Sequence, residues 1–201
     1  GVQRGPGVSV KLSALHPRYE TRQRERAMHE LLPRLTELMR LAAHYDIGLA
    51  VDAEETDRLD LSLDLFEAAL EKLATPEWAG AGFVVQSYQK RCIAVIDWLI
   101  DLARRRKQKL MVRLVKGAYW DGEIKRAQVD GLNDYPVFTR KAHSDLAYLA
   151  CAARLLASQD NIYPQFATHN AQTLTTVFAM AQRAGATAYE FQCLHGMGEP
   201  L

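Results

Sequence analysis

The sequence predicts an α/β fold made of about six of the eight βα units of a (βα)8 barrel. Three observations carry that reading. Short β-rich runs alternate with longer helical patterns along all 201 residues, the order that parallel strands with helical crossovers require. No Gly/Ser-rich linker or shift in composition divides the chain, so a single domain over 1–201 is expected. The segment after the first strand, Lys11-Leu12-Ser13-Ala14-Leu15, is nothing like the Gly-rich phosphate loop that usually follows the first strand of a doubly wound open sheet. A whole barrel takes about 250 residues, about two βα units more than this chain holds.

The elements follow in order. Gly7–Leu15 (GVSVKLSAL) reads as the first strand. Thr21–Tyr45 reads as an amphipathic helix with Leu31, Leu35, Leu38 and Ala42 along one stripe and Pro33 as a point of kinking. Ile47–Ala53 is a strand and Asp57–Leu73 a helix rich in Leu and Glu. Gly82–Tyr88 is a strand, followed by a helix over Cys92–Arg106. Leu110–Val115 is a strand, followed by a helix over Asp121–Asp130, a loop at Gly131–Pro136 and a helix over Arg140–Ala157. Ile162–Thr168 is a strand, Ala171–Ala184 a helix and Ala188–Leu194 the last strand. The chain opens at Gly1 and stops at Pro200-Leu201 straight after that strand, so it is expected to be a piece of a longer protein.

Composition excludes several classes. With 25 Lys+Arg against 24 Asp+Glu the net charge is +1, and a nucleic-acid binder that works through bulk charge needs a strong basic excess. At 48% hydrophobic and 24% charged residues the chain is neither disordered nor membranous. Cys92, Cys151 and Cys193 form no CxxC pair and read as reduced thiols of a cytoplasmic protein. There is no HExxH, no cysteine–histidine ligand spacing and no GxSxG elbow, so no metal is expected.

The chemistry of such a fold belongs at the C-terminal ends of the strands. Nearly every strand carries a polar residue late in an otherwise apolar run: Lys11, Asp52, Gln86, Arg113, Thr168 with His169, and Gln192. Any one of them has a structural reading; Lys11 and Asp52, for instance, suit a cross-strand ion pair. Together they point to a ligand site, because a charge placed in a core without purpose or partner is costly. Lys11, Arg113 and Lys116 outnumber Asp52, so the site favours an anionic ligand or an electron-rich ring. The His195–Glu199 stretch (HGMGE) reads as a tight loop over the site, with glycine allowing close backbone approach. Arg104-Arg105-Arg106-Lys107 reads as a solvated helix end, Trp98 as packing, and Trp120 as near enough to Arg113 to touch a ligand. Glu54-Glu55 reads as the start of a helix rather than a catalytic dyad.

Several longer segments are more specific: KLSALHPRY (11–19), VDAEETDRLDLSLDL (51–65), QSYQKR (86–91), RLVKGAYWDGEIKRAQ (113–128), FATHNAQT (166–173) and YEFQCLHGMGEPL (189–201). In order and spacing they resemble the proline dehydrogenase domain of the bacterial proline utilization A family. The resemblance implies a distorted (βα)8 barrel that binds FAD without covalent attachment. It implies oxidation of L-proline to Δ1-pyrroline-5-carboxylate by hydride transfer to flavin N5, the first step of proline catabolism to glutamate. Electrons then pass to a quinone, with peripheral contact at the inner membrane through the longer protein. Carried over by motif, Arg113 lies near flavin N5 and Gln86 bonds the isoalloxazine. Lys116, Trp120, Lys141, Thr168, His169, Asn170 and Gln192 contact other parts of the cofactor. Lys11 meets the proline carboxylate, and Asp52, Tyr119 and Leu194 line the substrate pocket. The family's first barrel strand and last helix, with its paired arginines, are expected outside this chain, as are the aldehyde dehydrogenase domain and the DNA-binding domain of some members.

Two other readings come from the pattern alone. One is a Schiff-base aldolase or lyase barrel using Lys11 or Lys116. The other is a truncated, non-catalytic barrel fragment whose open edges invite association.

Overall fold

A computed structural model describes residues 1–198; Glu199, Pro200 and Leu201, the end of the loop expected after the last strand, lie outside the described residues. The strands are β1 (Gly7–Val10), β2 (Gly48–Val51), β3 (Ala81–Gln86), β4 (Leu110–Val115), β5 (Ile162–Ala167) and β6 (Glu190–Gln192). The helices are α1 (Leu12–Leu15), α2 (Arg24–His44), α3 (Leu59–Lys72), α4 (Cys92–Arg106), α5 (Trp120–Val129), α6 (Lys141–Leu156) and α7 (Ala171–Arg183). The strands form one sheet in sequence order, β1-β2-β3-β4-β5-β6. Val10 pairs with Val51, Val51 with Phe83 and Ala167 with Gln192, each in a parallel ladder. This is the βα alternation expected of part of a (βα)8 barrel. Two compact units make up the chain, Gly1–Val84 with Leu102–Met111, and Val85–Asp101 with Val112–Leu201.

In the first unit the two faces of β2 are buried along all four residues, as a strand covered on both sides requires. Helix α2 buries Ala27, Leu31, Leu32, Leu35, Met39 and Ala42 and packs on α3. Met39 and Leu32 lie deep where the sequence reading placed Leu38, which is half-buried. Helix α2 continues through Pro33. Phe66 of α3 meets Phe83 of β3 with ring centroids 5.2 Å apart. The expected strand Gly7–Leu15 stops at Val10, and Leu12–Leu15 turns into α1. A four-residue apolar run cannot distinguish the two states by periodicity, and the backbone N–H of Ser13 is drawn to the Glu54 carboxylate at 3.0 Å. The basic run ending α4 is solvated as expected at Arg104, Arg105 and Lys107, and Arg106 is half-buried. Arg105 pairs with Glu67 at 3.0 Å, and Arg106 donates to the Leu70 carbonyl near the end of α3. The Arg106 guanidinium thus adds a second donor to a carbonyl that already accepts the Leu73 N–H at the end of α3.

In the second unit α6 packs on α7 and on β5. Phe166, Tyr189 and Phe191 form an edge-to-face cluster with centroids 5.8–6.1 Å apart. Asn170 caps α7: its Oδ1 accepts from Thr173 N at 2.9 Å. Cys92 and Cys151 are free and buried. A hydrogen bond from the Cys151 thiol pulls Cys92 below its ordinary range, and the same bond with burial pushes Cys151 up.

Tyr148 of α6 is fully buried, and its hydroxyl lies 3.3 Å from the Leu114 carbonyl of β4 and 3.3 Å from the Ala167 carbonyl of β5. Burial raises its pKa, so the group stays a donor. Tyr148→Phe is expected to destabilise the protein by about 1 kcal/mol, read as a lower urea midpoint with an unchanged m-value; an unchanged midpoint would show that the hydroxyl adds nothing.

Candidate active site

The polar residues singled out in the sequence fall at the C-terminal parts of their strands, and each unit gathers its own set. In the first unit Lys11 follows β1 and Asp52 follows β2, where Asp52 N continues the ladder to Val10 O at 2.9 Å. The Lys11 Nζ lies 3.0 Å from Asp52 Oδ2, the cross-strand ion pair the sequence suggested. With the Lys11 side chain 45% exposed, the pair adds little to stability, and its value lies in aiming the ammonium. The turn after Lys11 is anchored by Glu54, whose Oε1 accepts from Ser13 N at 3.0 Å and whose Oε2 lies 3.0 Å from Arg58 Nη1. Arg58 also pairs with Glu55 at 3.1 Å and lies over the Tyr19 ring at 5.4 Å. Glu54 and Glu55 therefore build the frame behind Lys11.

In the second unit Arg113 of β4 donates through Nε to Gln192 Oε1, the last residue of β6, at 2.7 Å. Gln192 in turn donates to Glu190 Oε1 at 2.6 Å. Gln86 closes β3, is almost fully buried, and accepts through Oε1 from Ala118 N at 3.2 Å. Between them runs the RLVKGAYW segment. Gly117 takes φ +144°, and a Cβ there would strike the Tyr88 ring, so only glycine lets the backbone lie against that ring.

Lys116 and Lys141 share one carboxylate: both ammonium groups lie 2.5 Å from Asp145, on Oδ1 and Oδ2 respectively. Trp120 is 42% exposed, with its Nε1 donating to Phe138 O at 2.9 Å. Tyr119 precedes α5 and is half-buried. Thr168 follows β5; its Oγ1 accepts from Asn170 N at 3.1 Å. Asn170, expected beside the cofactor, has its carboxamide oxygen on the α7 cap.

His169 Nε2 accepts from Leu194 N at 2.9 Å, which ties the segment after β6 to the segment after β5. Leu194 itself is 63% exposed. A Cβ on Gly198 would strike Cys193 and come within 3.3 Å of the His169 ring. The close backbone approach at Gly198 is thus made onto the Cys193 side chain, with the His169 ring next to it.

Sequence reasoning missed Glu54, Asp145 and Glu190. Asp145 was legible as the i+4 partner of Lys141 in KAHSD, and Glu190 as the residue sharing a strand face with Gln192 in YEFQ. Among the described residues no group of three or more His, Cys, Asp and Glu could hold a metal ion, and no helix is long and apolar enough to cross a membrane.

A partial (βα)8 barrel is the class of fold whose strand C-termini carry the ligand-binding residues, and each unit here has a cation at those ends, joined in the second unit by amides. The profile of the family "Proline dehydrogenase" matches residues 1–201, and the chain belongs to that family. It is 61% identical over its whole length to the bifunctional protein PutA of Escherichia coli (strain K12) and 59% identical to that of Rhizobium meliloti. It spans only 15% and 16% of those two proteins. Among solved structures, proline utilization A with proline bound in remote sites superposes with a TM-score of 0.94 at 59% identity, covering 96% of this chain and 20% of that one. Proline utilization A from Bdellovibrio bacteriovorus inactivated by N-propargylglycine gives 0.92 at 34% identity with the same coverage.

Burial pushes the Asp145 carboxyl up, but hydrogen bonds from Lys116 and Lys141 outweigh it and hold the group below the usual carboxylate range. A lowered folded pKa gives stability that is present above the unfolded value, near pH 4, and lost as pH falls through the folded one. Urea midpoints measured from neutral to acidic pH should therefore fall less steeply for Asp145→Asn than for the wild type. Parallel curves would show that Asp145 contributes no such linkage.

Proposed function

We propose that residues 1–201 are an incomplete proline dehydrogenase barrel domain of a longer protein, binding FAD and oxidising L-proline to Δ1-pyrroline-5-carboxylate. The observation that carries the reading is Arg113, a permanent cation late in β4 with its Nε fixed on Gln192 at 2.7 Å. A preorganised cation lowers the cost of negative charge that develops on a bound group.

The donor set fits FAD. Arg113, Lys116 and Lys141 supply positive charge, Gln86 and Gln192 supply amides, and Trp120 supplies an exposed ring with a fixed edge. Such a set suits a flat heterocycle carrying two phosphates. Bound there, FAD would supply the hydride acceptor. The protein's part would be orientation and charge: Arg113 would stabilise negative charge on the reduced ring, Gln86 would hydrogen-bond the ring, and Lys116, Trp120, Lys141, Thr168, His169, Asn170 and Gln192 would hold the remainder. Lys11, aimed by Asp52, meets the proline carboxylate, and Tyr119 and Leu194 flank the substrate. Electrons leave to a quinone, with the longer protein working in the cytoplasm and touching the membrane surface. The match to the proline dehydrogenase family supports the substrate.

The Schiff-base reading is disfavoured by the two lysines it needs. Such chemistry uses a free amine, whereas the ammonium groups of Lys11 and Lys116 are spent on Asp52 and Asp145.

Three outcomes test the proposal. Purified protein supplied with FAD should show flavin absorbance that bleaches on anaerobic addition of L-proline. Arg113→Met should keep the protein folded and lower proline-dependent reduction by about a hundredfold or more; an unchanged rate would remove Arg113 from its role. Lys11→Ala should raise the dissociation constant for proline by roughly ten- to a hundredfold, the value of a charge-assisted hydrogen bond, at equal flavin content. Loss of flavin from that variant would place Lys11 on the cofactor instead.

A further inference from the structure

We infer that Glu190 is a positioning residue that fixes Arg113 by dictating the orientation of the Gln192 amide. The inference rests on the flavin reading above and adds a residue to it. Gln192 lies between a group that can only donate and a group that, ionised, can only accept. The Arg113 guanidinium offers Nε–H at 2.7 Å, and the Glu190 carboxylate takes the other end of the amide at 2.6 Å. Only one of the two amide orientations satisfies both neighbours: Oε1 toward Arg113 and Nε2 toward Glu190.

The Glu190 carboxylate is itself held. Its Oε1 also accepts from Gln165 Nε2 at 2.9 Å, and its Oε2 accepts from the Tyr163 hydroxyl at 3.2 Å. Gln165 and Tyr163 are buried on β5, and Gln165 is the ladder partner of Glu190. Burial, then the neighbouring Glu190 charge, push Tyr163 up to about 12, so its hydroxyl donates throughout the working range. The strand pair β5–β6 thus presents one face of Tyr163, Gln165, Glu190 and Gln192 whose hydrogen bonds run toward Arg113. Its other face carries Phe166, Tyr189 and Phe191, packed ring on ring.

Glu190→Gln replaces the acceptor by an amide that both donates and accepts, so the orientation of Gln192 is no longer dictated. Two effects then compete with opposite signs at a bound flavin. Loss of the carboxylate's own negative charge would raise the midpoint potential, whereas a guanidinium no longer held in place would lower it. The positioning role predicts a fall.

The test is the midpoint potential of the FAD-loaded protein, together with its reduction by L-proline. In Glu190→Gln the potential should fall, and reduction at saturating proline should slow by about ten- to a hundredfold. Half-saturation by proline should stay within about twofold, because the defect is not in substrate binding. Gln192→Met, which cuts the relay with Glu190 intact, should move the potential the same way. Tyr163→Phe, a mild change that leaves the fold in place, should give a smaller fall. A potential that rises shows that Glu190 acts through its own charge, and that result overturns the role, as does an unshifted potential. In the flavin-free protein the Arg113 Nε–Hε NMR signal should be slow to exchange and lose that protection in Glu190→Gln; equal protection also overturns the role. Wild-type protein that takes up no FAD overturns the proposed function together with this role, whereas a flavin-loaded variant of unchanged potential overturns the role alone.

Discussion

A parallel strand covered on both faces leaves a charged side chain inexpensive positions only at its ends, where the backbone turns out of the sheet. In this chain the polar residues of the proposed site lie at the C-terminal ends. The observed placements follow from that constraint. Lys11 and Asp52 come one residue after β1 and β2, Gln86 and Gln192 close β3 and β6, and Thr168 comes straight after β5. Arg113 is the exception, two residues inside the end of β4. A guanidinium set back into a strand needs an acceptor there, and Gln192 supplies it. The depth of Arg113 and the presence of a hydrogen-bonded partner are two sides of one requirement.

Each cation of the proposed site has a defined partner within its own unit: Lys11 with Asp52, Lys116 and Lys141 with Asp145, and Arg113 with Gln192. Partly exposed ion pairs are weak contributors to folding, so stability is a poor explanation for them. Their effect is on freedom. A lysine or arginine that waits in one rotamer has less entropy to lose when a ligand arrives. The Asp145 pair also keeps two ammonium groups close together that would otherwise repel.

The sequence disclosed the fold through periodicity and the site through interruptions of it. Strand β4 and helix α4 match their expected bounds residue for residue, because LMVRLV and CIAVIDWLIDLARRR each carry one unmistakable pattern. The first strand was overextended because the short run LSAL carries none, and what bends it is Glu54, 41 residues from Ser13. The same asymmetry holds at the site. One polar residue per strand stood out against apolar neighbours, but the residues that hold those side chains did not. Glu54 follows Asp52 in a run of carboxylates, where one more gives no local signal, whereas Asp145 and Glu190 show only through their spacing to Lys141 and Gln192. Asn170, expected at the cofactor only through the family resemblance, also has a task written in the local sequence as Asn-x-x-Thr: its carboxamide oxygen caps α7.

The β6 strand shows how little chain such an arrangement needs. Its three residues alternate, so Glu190 and Gln192 share one side and Phe191 takes the other, with Tyr189 before it continuing the aromatic side. The register Gln165↔Glu190 and Phe166↔Phe191 matches amide to carboxylate and ring to ring across the ladder. A slip of one residue would set Glu190 against the rings and carry Phe191 to the side of Arg113. It would leave a carboxylate among aromatic groups and the guanidinium without its bond to Gln192, both unfavourable. The polar chain to Arg113 and the aromatic cluster behind it therefore enforce the same register. The side chains expected to act on the ligand are for that reason placed by the packing of residues that never touch it.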